Sequence, residues 1–208
     1  YMNNNNVNIL FPKEMNNDLS WLIGYIDGDG HIDSLKYRFR FTDEHKYNLD
    51  KVKQIFKDQF NLDCTIKKCT DRNAYILEKA SVVLFEWFMK NKLITKYSDS
   101  QTISIAIRKS TKEHIISYFS GLIDSDGCVR NVNGKLGFTI SQKLSDITRH
   151  WQQVALCVGI HINHSLNVKR GVGAYSDSTT VLLSNTGFSK KESMVIIAKN
   201  SNKLSMGD

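Results

Sequence analysis

Two acidic residues, Asp29 and Asp126, close a duplicated phrase: WLIGYIDGDG at 21–30 and YFSGLIDSDG at 118–127. Each phrase reads as an apolar helix whose last turn carries the final Asp, where helix carbonyls already hold partial negative charge. Two such carboxylates brought together need a cation. Oxygen donors suit a hard divalent ion, Mg²⁺ first, with Mn²⁺ or Ca²⁺ as substitutes. Gly24 and Gly28 lie four apart, as do Gly121 and Ser125, so each helix has one face of small side chains. Backbones on such faces approach more closely than the usual spacing of about 8 to 10 Å. The two helices are therefore expected to pack together at the centre of the protein. Asp27 and Asp124, two residues earlier, point to the opposite side and are assigned structural hydrogen bonds. Gly30 and Gly127 are expected in the left-handed conformation that stops each helix. An EF-hand reading fails, because the twelfth loop position is Lys36 in one copy and Asn133 in the other, where a bidentate Glu belongs.

The repeat extends beyond the phrase. A shift of 97 residues also superimposes Phe41-Thr42 on Phe138-Thr139 and Lys46 on Lys143 without gaps. Each half reads as helix, hairpin, helix, hairpin, helix, an α+β plan of two αββαββα repeats with antiparallel sheets. In the first hairpin, Tyr37, Phe39 and Phe41 are expected on one face, with Lys36, Arg38, Arg40 and Thr42 on the other. Its counterpart turns at Asn133-Gly134, a pair that suits a tight type I′ turn. Second hairpins are expected from CTIKKC with AYILE and from SLNVKR with TTVLLS, and closing helices near 81–90 and after Gly187. The expected division is a loose N-terminal segment at 1–14, a first repeat at 15–94, a linker region at 95–112 with TKYSDSQ (95–101) as the join, and a second repeat at 113–208. Asn3 to Asn6 form a polar low-complexity tract.

The 208 residues are 41% hydrophobic with ten Phe, enough for a packed core. Four cysteines show no CxxC pairing and no His at zinc-ligand spacing, which reads as thiols in a reducing compartment. No apolar run approaches the roughly 18 residues of a membrane span. A net charge of +7 and a pI of about 9.2 point to a polyanionic partner. Abundant Asn, Lys and Ile match an AT-rich genome, so the expected setting is inside the cell, in a mitochondrion, chloroplast, bacterium or phage.

These two motifs resemble the LAGLIDADG signature, and nearly the whole chain after residue 15 resembles a single-chain, two-repeat LAGLIDADG homing endonuclease. Tyr25 stands where Leu is usual and Ser120 where Ala is usual. The resemblance implies saddle-shaped antiparallel sheets over double-stranded DNA, motif helices as the interface between halves, a monomer with internal pseudo-two-fold symmetry, and a metal-dependent double-strand break. It implies Asp29 and Asp126 as the metal-binding acids, with Gly28 and Ser125 among the metal-site positions. A polar residue at the end of the second strand orients water in such enzymes; FTISQK puts Gln142 there and FTDEHK puts His45 there. Lys191 fits the basic residue that completes the second site, and Lys96 is the closest lysine for the first. DNA contacts are expected from Lys36, Arg38, Arg40, Lys67, Arg130, Lys135, Thr139, Asn167 and Lys169. Two other readings use the same scaffold: a maturase that binds intron RNA, and a DNA-binding regulator without the chemistry.

Overall fold

In the computed structural model the described residues are 8–94, 102–132, 135–143, 146–167 and 178–184, and side chains are described for only part of the second repeat. The first repeat runs α1 (Asn17–Asp29), β1 (His31–Asp33), β2 (Arg38–Asp43), α2 (Lys46–Phe60), β3 (Thr65–Lys68), β4 (Tyr75–Ala80) and α3 (Val82–Lys90). A short α4 (Ile105–Arg108) precedes the second repeat. That repeat runs α5 (Lys112–Asp126), β5 (Gly127–Val132), β6 (Lys135–Lys143), α6 (Asp146–Cys157), β7 (His161–Asn167) and β8 (Ser178–Ser184). Each repeat forms a four-stranded antiparallel sheet, in the orders β1-β2-β4-β3 and β5-β6-β8-β7. The architecture is the α+β plan expected from the duplicated pattern. The expected join at 95–101, the Asn3 to Asn6 tract and the closing helix after Gly187 lie outside the described residues.

Local chemistry starts the helices. Asn16 caps α1 by accepting from the Leu19 N–H at 2.9 Å, and Ser81 caps α3 by accepting from the Leu84 N–H at 3.2 Å. Helix α2 ends at Asn61, whose φ of 54° supplies a left-handed stop. Apolar alternation along β2 buries Phe39 and Phe41 against α2 and α3. Phe39 meets Phe56 at 6.1 Å and Phe88 at 5.4 Å between ring centroids, and Phe41 meets Phe56 at 6.0 Å. Such tilted and edge-on contacts suit the ring quadrupoles. The opposite face of the sheet carries Arg38, Arg40 and Thr42, all half-buried.

Three expectations shift. Lys36 and Tyr37 belong to the turn between β1 and β2 and not to a strand face. Tyr37 has a φ of 48°, and its ring meets Phe85 edge-on at 5.4 Å. The turn has this form because the Asp33 carboxylate accepts from the Leu35 and Lys36 N–H groups, both at 3.1 Å. Strand β7 starts at His161, four residues before the expected SLNVKR. Val132 pairs with Lys135, so the first hairpin of the second repeat is joined through Asn133-Gly134, whose own geometry lies outside the described residues. Among the described residues no helix is long and apolar enough to cross a membrane.

Candidate active site at the helix junction

Helices α1 and α5 meet along their small-residue faces. A Cβ on Gly24 would fall onto the Tyr118 carbonyl oxygen, and a Cβ on Gly121 onto the Trp21 carbonyl oxygen. These are equivalent contacts under the 97-residue shift, so the helices cross at a pseudo-two-fold axis. Farther along, the Cβ position of Gly28 abuts the Ser125 hydroxyl. The contact thus reaches the residues immediately before Asp29 and Asp126. Both acids are exposed, while the glycine after each is buried.

Gly30 and Gly127 stop their helices differently from the expectation. Gly30 has φ −65° and ψ 134°, and Gly127 has φ −81° and ψ 154°, extended backbone open to any residue. The requirement is space: a Cβ on either would lie 2.6 Å from the Cα of Ile26 or Ile123. Each chain folds straight back over its own helix into the first strand, and only a hydrogen fits there.

Asp27 and Asp124 are buried and hydrogen-bonded across the junction. Trp21 Nε1 donates to Asp124 Oδ2 at 2.8 Å, and the Tyr118 hydroxyl donates to Asp27 Oδ2 at 2.8 Å. Trp21 and Tyr118 are 97 residues apart, as are the two acids, so each repeat supplies the aromatic donor for the other's carboxylate. Trp151 Nε1 in turn donates to the Tyr118 hydroxyl at 3.0 Å. Lys51 lays its ammonium 4.1 Å above the Trp21 ring. Burial lowers the Lys51 pKa, and the charge of Asp124 opposes that shift.

Burial raises the Tyr118 phenol well above its usual range, and the charge of Asp27 adds to it. The Tyr25 phenol is raised in the same way, by burial first and by Asp43 second. A phenol whose folded pKa exceeds its unfolded value of about 10 contributes stability that is whole below that pH and lost as the pH climbs above it. Urea titrations from pH 7 to 11 are expected to show a stability decline that begins near pH 10. Tyr118→Phe should flatten that decline.

Beside Asp29 opens a cavity of about 650 Å³, lined among others by Ser125, His31, Arg40, Asp43, His45 and Arg72. His45 is not at the end of β2, which stops at Asp43; it is the N-cap of α2, with its ring stacked on Tyr47 at 5.3 Å. The strand ends early because Asp43 turns inward. Its carboxylate accepts from the Tyr25 hydroxyl at 2.6 Å, the His45 N–H at 2.8 Å and the Asn48 amide at 2.8 Å. Sequence reasoning missed His31, Asp43 and Arg72 as cavity residues. His31 could have been found, since it directly follows the first motif.

On the polar sheet face Glu78 sits between two cations, 3.5 Å from Arg38 and 3.3 Å from Arg40, and Arg38 also pairs with Asp33 at 3.4 Å. Lys67 is exposed on β3, opposite Ile76, and Lys36 is exposed in the β1–β2 turn. In the second sheet Arg130 pairs with Gly137, Lys135 with Val132, Thr139 with Cys128 and Leu182, Gln142 with Thr179, and Asn167 with Ser178. The side chains of those five, and Lys96, Lys169 and Lys191 entirely, lie outside the described residues.

The family described as LAGLIDADG-like domain matches residues 16–92. A structure of mesophilic variants of the homing endonuclease I-DmoI superimposes with a TM-score of 0.59 at 16% identity, covering 92% of this chain and 97% of that one. I-DmoI in complex with DNA and Ca gives a TM-score of 0.56 at 18% identity, covering 82% and 83%. Full-length DUF199/WhiA from Thermatoga maritima gives 0.56 at 13% identity, over 91% of this chain and 57% of that one. In sequence, the chain is 31% identical over 208 residues to a glutamine–fructose-6-phosphate aminotransferase of Methanocaldococcus jannaschii, matching 94% of this chain. It spans only 18% of that relative's length. Residues 16–92 therefore match a LAGLIDADG-like domain, and the described residues have the two-repeat LAGLIDADG fold.

Proposed function

We propose that this protein is a site-specific endonuclease that makes a double-strand break in DNA with the help of a divalent ion. One observation carries the reading: an exposed carboxylate from each repeat stands at the end of one of two helices in backbone contact, beside an open cavity and a cationic sheet face. The donors fit a hard ion. Mg²⁺ keeps part of its water shell and is held through one or two carboxylates plus substrate phosphate oxygens, and Mn²⁺ or Ca²⁺ accept similar donors. Asp29 and Asp126 would hold it, and the Gly28–Ser125 contact sets how far apart they stand. When bound, the ion supplies charge neutralisation at the phosphate under attack.

The protein's own groups do the rest. His45 and Gln142 orient the attacking water in the first and second sites, and Lys96 and Lys191 stabilise the developing charge. Arg38, Arg40 and Lys67, with Lys36 at the hairpin tip, meet the DNA, as do Arg130, Lys135, Thr139, Asn167 and Lys169 in the second half. Glu78 holds Arg38 and Arg40 in place through half-exposed ion pairs, each worth under about 1 kcal/mol, so a phosphate or a guanine edge can replace it. The archaeal relative carries the similar stretch as a fifth of a chain named for another activity, which supports a mobile insert in a host gene.

A second reading on the same fold is a DNA-binding regulator without the chemistry. A plasmid library carrying candidate insertion sites separates the two. Linear product with Mg²⁺ and none with EDTA is the expected result. Specific binding without cutting at any ion concentration would favour the regulator, and tight intron-RNA binding without cutting the maturase.

A further inference from the structure

We infer that Tyr25, Asp43 and Asn48 form a positioning network for the first active site alone, so that the two DNA strands are cut by unequal sites. The inference rests on the endonuclease reading. Asp43 lines the cavity next to Asp29, yet its oxygens are engaged: Oδ2 accepts from Tyr25 and Asn48, and Oδ1 accepts from the backbone N–H of His45. Asn48 also donates to the Asp124 carbonyl oxygen at 3.1 Å, across the boundary between repeats. Tyr25 is clamped in turn, stacked on Trp21 at 4.9 Å and tilted against Phe41 at 5.9 Å. One buried cluster therefore ties the first motif helix, the start of α2 and the second motif helix to the residue that lines the cavity.

Stability alone does not explain the cluster. Buried polar groups are costly unless each is paired, and well-packed apolar residues serve the core at least as well. The second repeat follows that simpler course. Along the motif helices a shift of 97 residues puts Leu122 in place of Tyr25; the first hairpin is two residues longer in the second repeat, so beyond it a shift of 99 puts Gln142 in place of Asp43 and Ile147 in place of Asn48. Leu122 and Ile147 are 0% and 4% exposed, so the second repeat closes with hydrocarbon at both positions from which the first donates to Asp43. The strands end alike: β2 stops at Asp43, and β6 runs one residue past the equivalent Gln142, to Lys143. Gln142 holds in its strand the place that Asp43 holds in the first repeat, and His45 follows at a helix cap whose backbone N–H Asp43 accepts from. Asp43 acts through His45, and its loss should disturb only the strand whose phosphate lies over the first cavity.

The test labels each strand of a cleavable duplex and measures the two nicking rates separately. Tyr25→Phe removes one hydroxyl and leaves the stacked ring. Tyr25→Leu with Asn48→Ile copies the pair the second repeat already accommodates in Leu122 and Ile147, and its thermal midpoint reports whether it folds. Both variants are expected to slow one strand by about tenfold or more and leave the other within about twofold. A merely structural cluster would slow both strands together, and that result, or unchanged rates on both, overturns the inference. A wild-type protein that nicks neither strand would instead remove the endonuclease reading on which it rests.

Discussion

Asp29→Asn and Asp126→Asn are each expected to abolish double-strand cleavage while leaving specific DNA binding within about tenfold. The amide keeps the shape of the carboxylate and loses its charge, so a hard cation loses an anionic donor. Neither acid carries fold energy comparable to the buried pair Asp27 and Asp124, because both stand exposed on the rim. Loss of one donor at a charge-stabilising site typically costs about a hundredfold to a thousandfold in rate, and loss of the ion itself costs more. Affinity, in contrast, is expected from phosphate contacts spread along both sheets. Plasmid linearisation and gel-shift measurements on the same preparations check both halves of the statement. Undiminished cutting by the double variant would overturn the assignment of these acids.

The second large effect concerns the fold. Gly121→Ala is expected to destabilise the protein by about 4 kcal/mol or more, near the upper limit for single substitutions. The added carbon would fall on the Trp21 carbonyl oxygen, a backbone atom that cannot swing aside. The helices would have to part, stretching both the Trp21–Asp124 and the Tyr118–Asp27 hydrogen bonds. For a chain of this size the thermal midpoint should drop by roughly 8–16 °C. Gly28→Ala is a milder change, because the obstacle is the Ser125 hydroxyl, which can rotate away. Equal losses in the two variants would show that close backbone approach is not what Gly121 provides.

The features legible in the sequence were those that repeat or alternate. The motif helices, their small faces and the inward role of Asp27 and Asp124 follow from residue spacing on a helix, and packing realises that spacing directly. The Phe39 and Phe41 face follows from strand alternation. What was illegible depended on contacts between distant segments. Tyr25, Asp43 and Asn48 lie on three elements, and the two donors have only Leu122 and Ile147 as counterparts, so no periodicity announces them. Gly30 and Gly127 were identified as helix stops for the wrong physical reason, since the space beneath a Cβ depends on how the chain folds back and leaves no trace in composition. Tyr37 continued the alternation on paper, but the Asp33 carboxylate claimed the preceding backbone N–H groups for a turn.

The exchange of donors across the junction has a genealogical consequence. Each motif begins with an aromatic donor and carries its buried acid six residues later, so one repeat facing a copy of itself could make the same two bonds. Trp21 would reach a second Asp27, and Tyr118 a second Asp124. The chain is in effect a homodimer written end to end, the form a self-pairing ancestor would take once its two copies were joined. While that ancestor remained unfused, every mutation struck both subunits at once. In a single chain one half can change without the other, as the cluster around Asp43 has.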